Sequence, residues 1–151
     1  MRVIHTTNNI FDMPTSENEA VCITTNGIIK RDGTAVMGAG IAKEADNRFH
    51  LSKELAQHLR TIGNVPHLFT ATGSHNSKLI SFPTKQHWKD DSSLALIEQS
   101  AQYLVNLVDM HNIQQCYLTP PGCGCGHLSW ETVKPILEKY FDNRFSIVVR
   151  H

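Results

Sequence analysis

The feature that most constrains this chain is the alternation of short apolar runs with longer stretches of helical period. The runs RVIH (2–5), AVCITT (20–25), HLFTA (67–71), KLISFP (78–83), QCYLT (115–119) and FSIVVR (145–150) are rich in β-branched or aromatic residues and bounded by breakers, which predicts strands. Between them, Leu94, Ile97, Ala101, Leu104 and Val108 recur at three and four residues and predict a helix over 92–111, with Ser92 as its cap. A second helix is predicted over 129–141, capped by Ser129, with Glu131 in its first turn and Val133, Ile136, Leu137 and Phe141 as its apolar stripe. Pro135 is expected to delay or bend it. Helical material over 40–60 is expected to break near residue 50. This alternation predicts a three-layer α/β domain whose ligands collect in loops after the strand carboxyl ends.

A chain of 151 residues is expected to form one domain with one core. No repeat, low-complexity tract or linker marks a boundary within 1–151. Lysine plus arginine equal aspartate plus glutamate at 14 each, so there is no global positive field to hold nucleic acid. Any nucleic-acid contact must be local. The start MRVIHTTNN carries no signal-like region, and no apolar run approaches the roughly 18 residues that span a bilayer, so a cytoplasmic protein with no membrane partner is expected. Of the four cysteines, Cys22 and Cys116 fall in predicted buried strands and Cys123 and Cys125 are too close for an easy bridge, which predicts reduced thiols.

Two glycine-bearing loops stand at strand ends: VMGAGIAKE (36–44), with Gly38 and Gly40, and TPPGCGCGHLSWE (119–131), with Gly122, Gly124 and Gly126. Each is read as backbone N–H groups at a helix start, a setting that favours an anion such as phosphate, and two side by side suit a pyrophosphate. The competing reading of either loop is a tight turn that lets helix and strand pack closely. Neither fits the Gly-Lys-Ser/Thr loop of nucleotide triphosphatases or the G-x-G-x-x-G of dinucleotide dehydrogenases.

Lys85 follows an apolar strand and the Phe82-Pro83 pair in SFPTKQHWK (81–89), where it is either a base or nucleophile beside apolar walls or an ordinary solvated lysine. Trp88 either stacks on a base or closes the core, and core is the expected place. Cys123, Cys125 and His127 lie within five residues, but alternate positions of a glycine loop do not converge on one ion, so no metal is expected. Asn9 and Asn26 follow the first two strands and either bind a ligand's hydroxyl or base edge or form turns.

The segments VIHTTNNIF, AVCITTNG, VMGAGIA, LISFPTKQHWK and PPGCGCGHLSWETVKPILEKYF together resemble a macrodomain. The last two resemble the branch containing the DNA ADP-ribosyl glycohydrolase antitoxins and the terminal ADP-ribose protein glycohydrolases. The resemblance implies a three-layer α/β/α fold with a mixed central sheet of about six strands, and ADP-ribose in a crevice along the strand ends. It implies ligand contacts from Asn9 and Ile10, from Met37, Gly38, Ala39, Gly40 and Ile41, and from Pro121, Gly122, Cys123, Gly124, Cys125, Gly126 and His127. Lys85 stands at the position of the branch's catalytic lysine, and Asn26, expected to serve catalysis with it, at that of the asparagine beside the distal ribose. No cofactor is implied, and a monomer is expected by analogy.

The activity implied is removal of ADP-ribose from modified DNA or protein, with a non-catalytic ADP-ribose reader and an ADP-ribose 1''-phosphate phosphatase as alternatives. Three departures bear on it. Asn9 stands where most macrodomains have an acidic residue facing the adenine amino group, so adenine binding loses charge assistance. Gly126 stands where the protein-directed enzymes have an aspartate paired with the lysine. The polar stretch GIIKRDGTA (27–35) is expected either to fold over the site or to touch the carrier, and Lys30, Arg31, Arg48, Lys85 and Lys89 are candidates for a local basic rim.

Overall fold

The computed structural model describes residues 1–151. Six strands form one sheet: β1 (Arg2–Thr6), β2 (Glu19–Thr25), β3 (Leu68–Thr72), β4 (Lys78–Pro83), β5 (Gln115–Leu118) and β6 (Phe145–Arg150). The spatial order is β1-β6-β5-β2-β4-β3. Every neighbouring pair is parallel except β3 with β4, so the sheet is mixed and five carboxyl ends emerge on one edge.

Alternation along the strands builds the layers. On β2, Ala20 and Cys22 enter one core while Val21 and Ile23 enter the other. β6 divides in the same way, with Phe145 and Ile147 on one face and Val148 on the opposite face. The first core is closed by α3 (Leu94–Met110) and α4 (Trp130–Glu138), and the second by α1 (Gly40–Phe49) and α2 (Ser52–Thr61). Residues buried on both faces explain why β2 reads as a continuous apolar run.

The break expected near residue 50 is present. His50 takes a left-handed conformation at φ 56°, and the Asp46 carboxylate then accepts from Leu51 N and Ser52 N, both at 2.9 Å, to start α2. Two helix expectations need correction. Ser93 rather than Ser92 caps α3, accepting from Leu96 N, because Ser92 N is tied to Gly126 O at 3.0 Å in the second glycine loop. Pro135 does not delay α4, which starts directly after its Ser129 cap and runs through the proline to Glu138.

Phe82 is fully buried one turn of chain before Lys85, so Phe82→Ala should cost about 3–5 kcal/mol. Ile62→Ala, at a residue 65% exposed, should stay within about 0.5 kcal/mol. Urea unfolding of the two variants checks both.

Candidate functional site

A cleft of about 1120 Å³ runs along the edge where the five parallel strands end. It is lined by Asn8 to Ile10 after β1, Thr24 to Asn26 of β2 and its turn, Val36 to Ala42 and Glu44 at the start of α1, Thr84 and Lys85 after β4, Thr119 and Pro120 after β5, and Val148 to Arg150 of β6. Gly122 to His127 form the opposite rim. The volume exceeds the roughly 300–1,000 Å³ of an ordinary small-molecule pocket, which suits an extended ligand of several parts.

Two sets of backbone amides bound this cleft. Those of Gly38 to Ala42 have no acceptor within the chain, and the α1 cap residue Ala39 supplies no side-chain bond. The free donors therefore join the positive end of a helix dipole. On the facing rim, Gly124, Cys125 and Gly126 also keep their amides free. This second set is not a helix start, as the sequence reading had it, because Ser129 already caps α4. It is a loop folded on itself by bonds from Cys123 N to Pro120 O, His127 N to Gly124 O and Leu128 N to Gly122 O.

The glycines divide by cause. Gly122 has φ +78°, and a Cβ there would meet Ile97, Leu128 and Ser92 at 2.9–3.0 Å. At Gly126 a Cβ would strike the Ser92 hydroxyl and the Gly122 carbonyl. Internal packing demands these two. A Cβ at Gly38 or Gly124 would meet nothing within 4 Å, and neither has a left-handed φ, so the fold itself makes no demand for glycine there. Both stand at the cleft wall, where a bare backbone lets a ligand reach the amides.

Lys85 is placed by the chain around it. Thr84 N donates to Thr25 O, Asn64 Nδ2 donates to Lys85 O, and Gly27 N donates to Gln86 O, with Gly27 packed so close that a Cβ would meet the Gln86 amide. The ammonium donates to Asp90 O at 3.1 Å, Trp88 O at 3.3 Å and Cys125 O at 3.5 Å. Three carbonyl acceptors match the three hydrogens of a charged lysine. Lys85, Lys89 and Arg150 give the cleft positive charge, and its one carboxylate, Glu44, accepts from Asn9 Nδ2. Burial pushes the Cys123 thiol up, which removes it as a thiolate nucleophile at neutral pH.

The cleft brings together every catalytic and ligand-binding candidate named from the sequence except Pro121, which is buried beneath the loop while Pro120 faces the cleft; of the basic-rim candidates it takes Lys85 and Lys89 but not Lys30, Arg31 or Arg48. Asn26 lines the wall but works as a turn former, with Oδ1 accepting from Ile28 N and Nδ2 donating to Val36 O. Asn9 Oδ1 accepts from Phe11 N, so its acceptor is already engaged, while Glu44 brings a charged one beside it. Trp88 is no core residue: it is half exposed at the cleft rim with the Lys89 ammonium 5.2 Å from its ring. The stretch 27–35 does not cover the site but is bound to α2 through Ala35 N to Ser52 O and Arg60 to Gly33 O. Arg48 leaves the basic rim for Asp12 and the Phe11 and Phe49 rings.

Sequence reading passed over two hydroxyls. Thr25 and Ser92 line the cleft, and both side-chain oxygens are buried without a partner within the chain.

No family model matches the sequence. Among solved structures, the macrodomain of Mycobacterium tuberculosis DarG superposes with a TM-score of 0.78 at 23% identity, covering 99% of this chain and 97% of that one. This chain has the macrodomain fold. The Thermosipho africanus DarTG structure, in complex with ADP-ribose, matches the macrodomain with a TM-score of 0.75 at 22% identity, over 97% of this chain and 41% of that one. The DNA ADP-ribosyl glycohydrolase of Mycobacterium tuberculosis is 30% identical over 135 residues, or 86% of this chain. The chain spans 37% of that relative's length. The activity named for that relative is the one named for the branch that the motifs of the second loop and of Lys85 resemble.

With the macrodomain fold, Gly38→Ala and Gly124→Ala should leave thermal unfolding unchanged and weaken an anionic ligand bound at the free amides by about tenfold, the loss of about one charged hydrogen bond. Gly122→Ala should instead destabilise by about 1–3 kcal/mol. Calorimetric titration and thermal unfolding separate the two classes.

Proposed function

We propose that this macrodomain binds ADP-ribose through its two amide-lined rims and hydrolyses the bond joining it to a modified DNA. The observation that carries the reading is the pair of facing amide sets, Gly38 to Ala42 and Gly124 to Gly126, with the Lys85 ammonium bonded into the second loop. Free N–H groups on two sides match the oxygens of a pyrophosphate. Their binding energy, far from the reacting bond, positions the distal ribose beside Lys85. Cleavage at an anomeric carbon develops positive charge on the sugar and negative charge on the leaving atom. Lys85, whose amine donates to three carbonyls beside the cleft, serves the leaving atom as a proton donor.

DNA as the carrier is supported by the activity named for the 30% identical relative and by the rim chemistry. Trp88 offers an exposed ring for stacking on a base, and Lys89 and Arg150 supply local positive charge on a chain with none overall.

The test is a time course of ADP-ribose release from an ADP-ribosylated single-stranded oligonucleotide and from a glutamate-ester-modified protein. Wild type should release ADP-ribose from the oligonucleotide, more slowly as salt rises, and Lys85→Ala should lose about 10²- to 10⁴-fold. Equal release by Lys85→Ala would contradict the assignment of Lys85. Binding of ADP-ribose with no release would make the protein a reader, and phosphate release from ADP-ribose 1''-phosphate would make it a phosphatase.

A further inference from the structure

The segment from Lys85 to Ser93 and the second glycine loop are joined by three bonds. Lys85 Nζ donates to Cys125 O, Ser92 N donates to Gly126 O, and the His127 ring lies against Asp91 with Nδ1 2.9 Å from Oδ1. The third is of a different kind from the others. A carboxylate can only accept, so the shared hydrogen sits on His127 Nδ1, and in the neutral ring Nε2 is left with its lone pair. His127 lines the same rim of the cleft as Cys125, to which Lys85 is bonded. A base held in one tautomer by a carboxylate, on the same loop as the carbonyl that the proton donor engages, is an arrangement by which hydrolytic sites activate a nucleophile.

We propose that His127, oriented by Asp91, is the general base that activates water in the hydrolysis, with Lys85 as the proton donor. This rests on the hydrolase reading above. The water oxygen forms a bond to the anomeric carbon of the distal ribose as the bond to the carrier breaks, and that bond's electron pair goes to the leaving atom. One water proton passes to Nε2 of His127, and the Lys85 ammonium gives a proton to the leaving atom. Transfer from the imidazolium to the lysine amine through solvent restores both groups. The sum is one water consumed, with ADP-ribose and the unmodified carrier released and nothing oxidised or reduced. Asp91 is a positioning residue, acting through the ring.

The other ionisable groups along the cleft are Glu44, Lys85, Lys89, Cys123, Cys125 and Arg150. His87 and Asp90 belong to the facing segment, where His87 Nδ1 accepts from Lys89 N and Asp90 gives its carbonyl to Lys85. Among these a second histidine, His87, is the group that needs a control.

The experiment is single-turnover release from the ADP-ribosylated oligonucleotide across the histidine titration range, with ADP-ribose affinity measured in parallel. His127→Asn is the informative variant, because His127 has φ 62° and asparagine tolerates that backbone where alanine does not. Wild-type rate should fall as pH drops through the histidine range. His127→Asn should lose about 10²- to 10⁴-fold at saturating enzyme, lack that acidic limb, and regain rate with added imidazole. Asp91→Asn should slow the wild type but cost nothing further in the His127→Asn background. His87→Gln should keep the limb. A Lys85-dependent wild type whose rate and acidic limb survive in His127→Asn would overturn this proposal and leave the hydrolase reading standing. A wild type that binds ADP-ribose and releases none would overturn both.

Discussion

Everything at the functional edge depends on the parallel pairing of β2 with β4 and β5. Parallel neighbours cannot be joined by a tight hairpin, so each connection crosses a face of the sheet and every strand of the set ends on the same side. β2 is held by β4 over Ala20 to Thr25 and by β5 over Glu19 to Val21. That register places Asn26, Lys85 and the Gly122 loop around one opening. Five strand ends then leave a cleft above the sheet whose walls are loops, where backbone amides are not already used in a ladder. Antiparallel β3 adds width at one side but contributes nothing to the cleft.

The second constraint is the interlock between the segment after β4 and the second glycine loop. Gly126 gives its carbonyl to Ser92 N and has no room for a Cβ, and Gly122 adopts a backbone that glycine tolerates best. These two hold the loop against α3. The same folding leaves Gly124, Cys125 and Gly126 with free amides and turns the Cys125 carbonyl toward Lys85. Structural and ligand-facing glycines thus alternate along a few residues, and rigidity in one set gives the other its preorganised donors.

Much of this was legible in the sequence because the signals are local. Strand positions followed from β-branched runs, and the break at residue 50 from the loss of helical period. The placement of both glycine loops and Lys85 at strand ends followed from the α/β alternation, and the macrodomain resemblance from motifs. What was not legible depends on distant partners. Ser92 looked like a cap because the sequence cannot show that its N–H belongs to Gly126, and Trp88 looked like core because nothing nearby says which side of the loop it takes. The engagement of Asn9 with Glu44 joins residues 35 positions apart, and that of His127 with Asp91 joins residues 36 apart. Neither pairing leaves a pattern at any helical or strand period.

The central claim is that one ligand is gripped from two sides by two sets of backbone amides. Amide chemical shifts followed by NMR during an ADP-ribose titration test it most directly. The account predicts that resonances of Gly38 to Ala42 and of Gly124 to Gly126 move together and saturate at one equivalent. Movement in one loop alone, or in neither while ADP-ribose binds elsewhere, would contradict it.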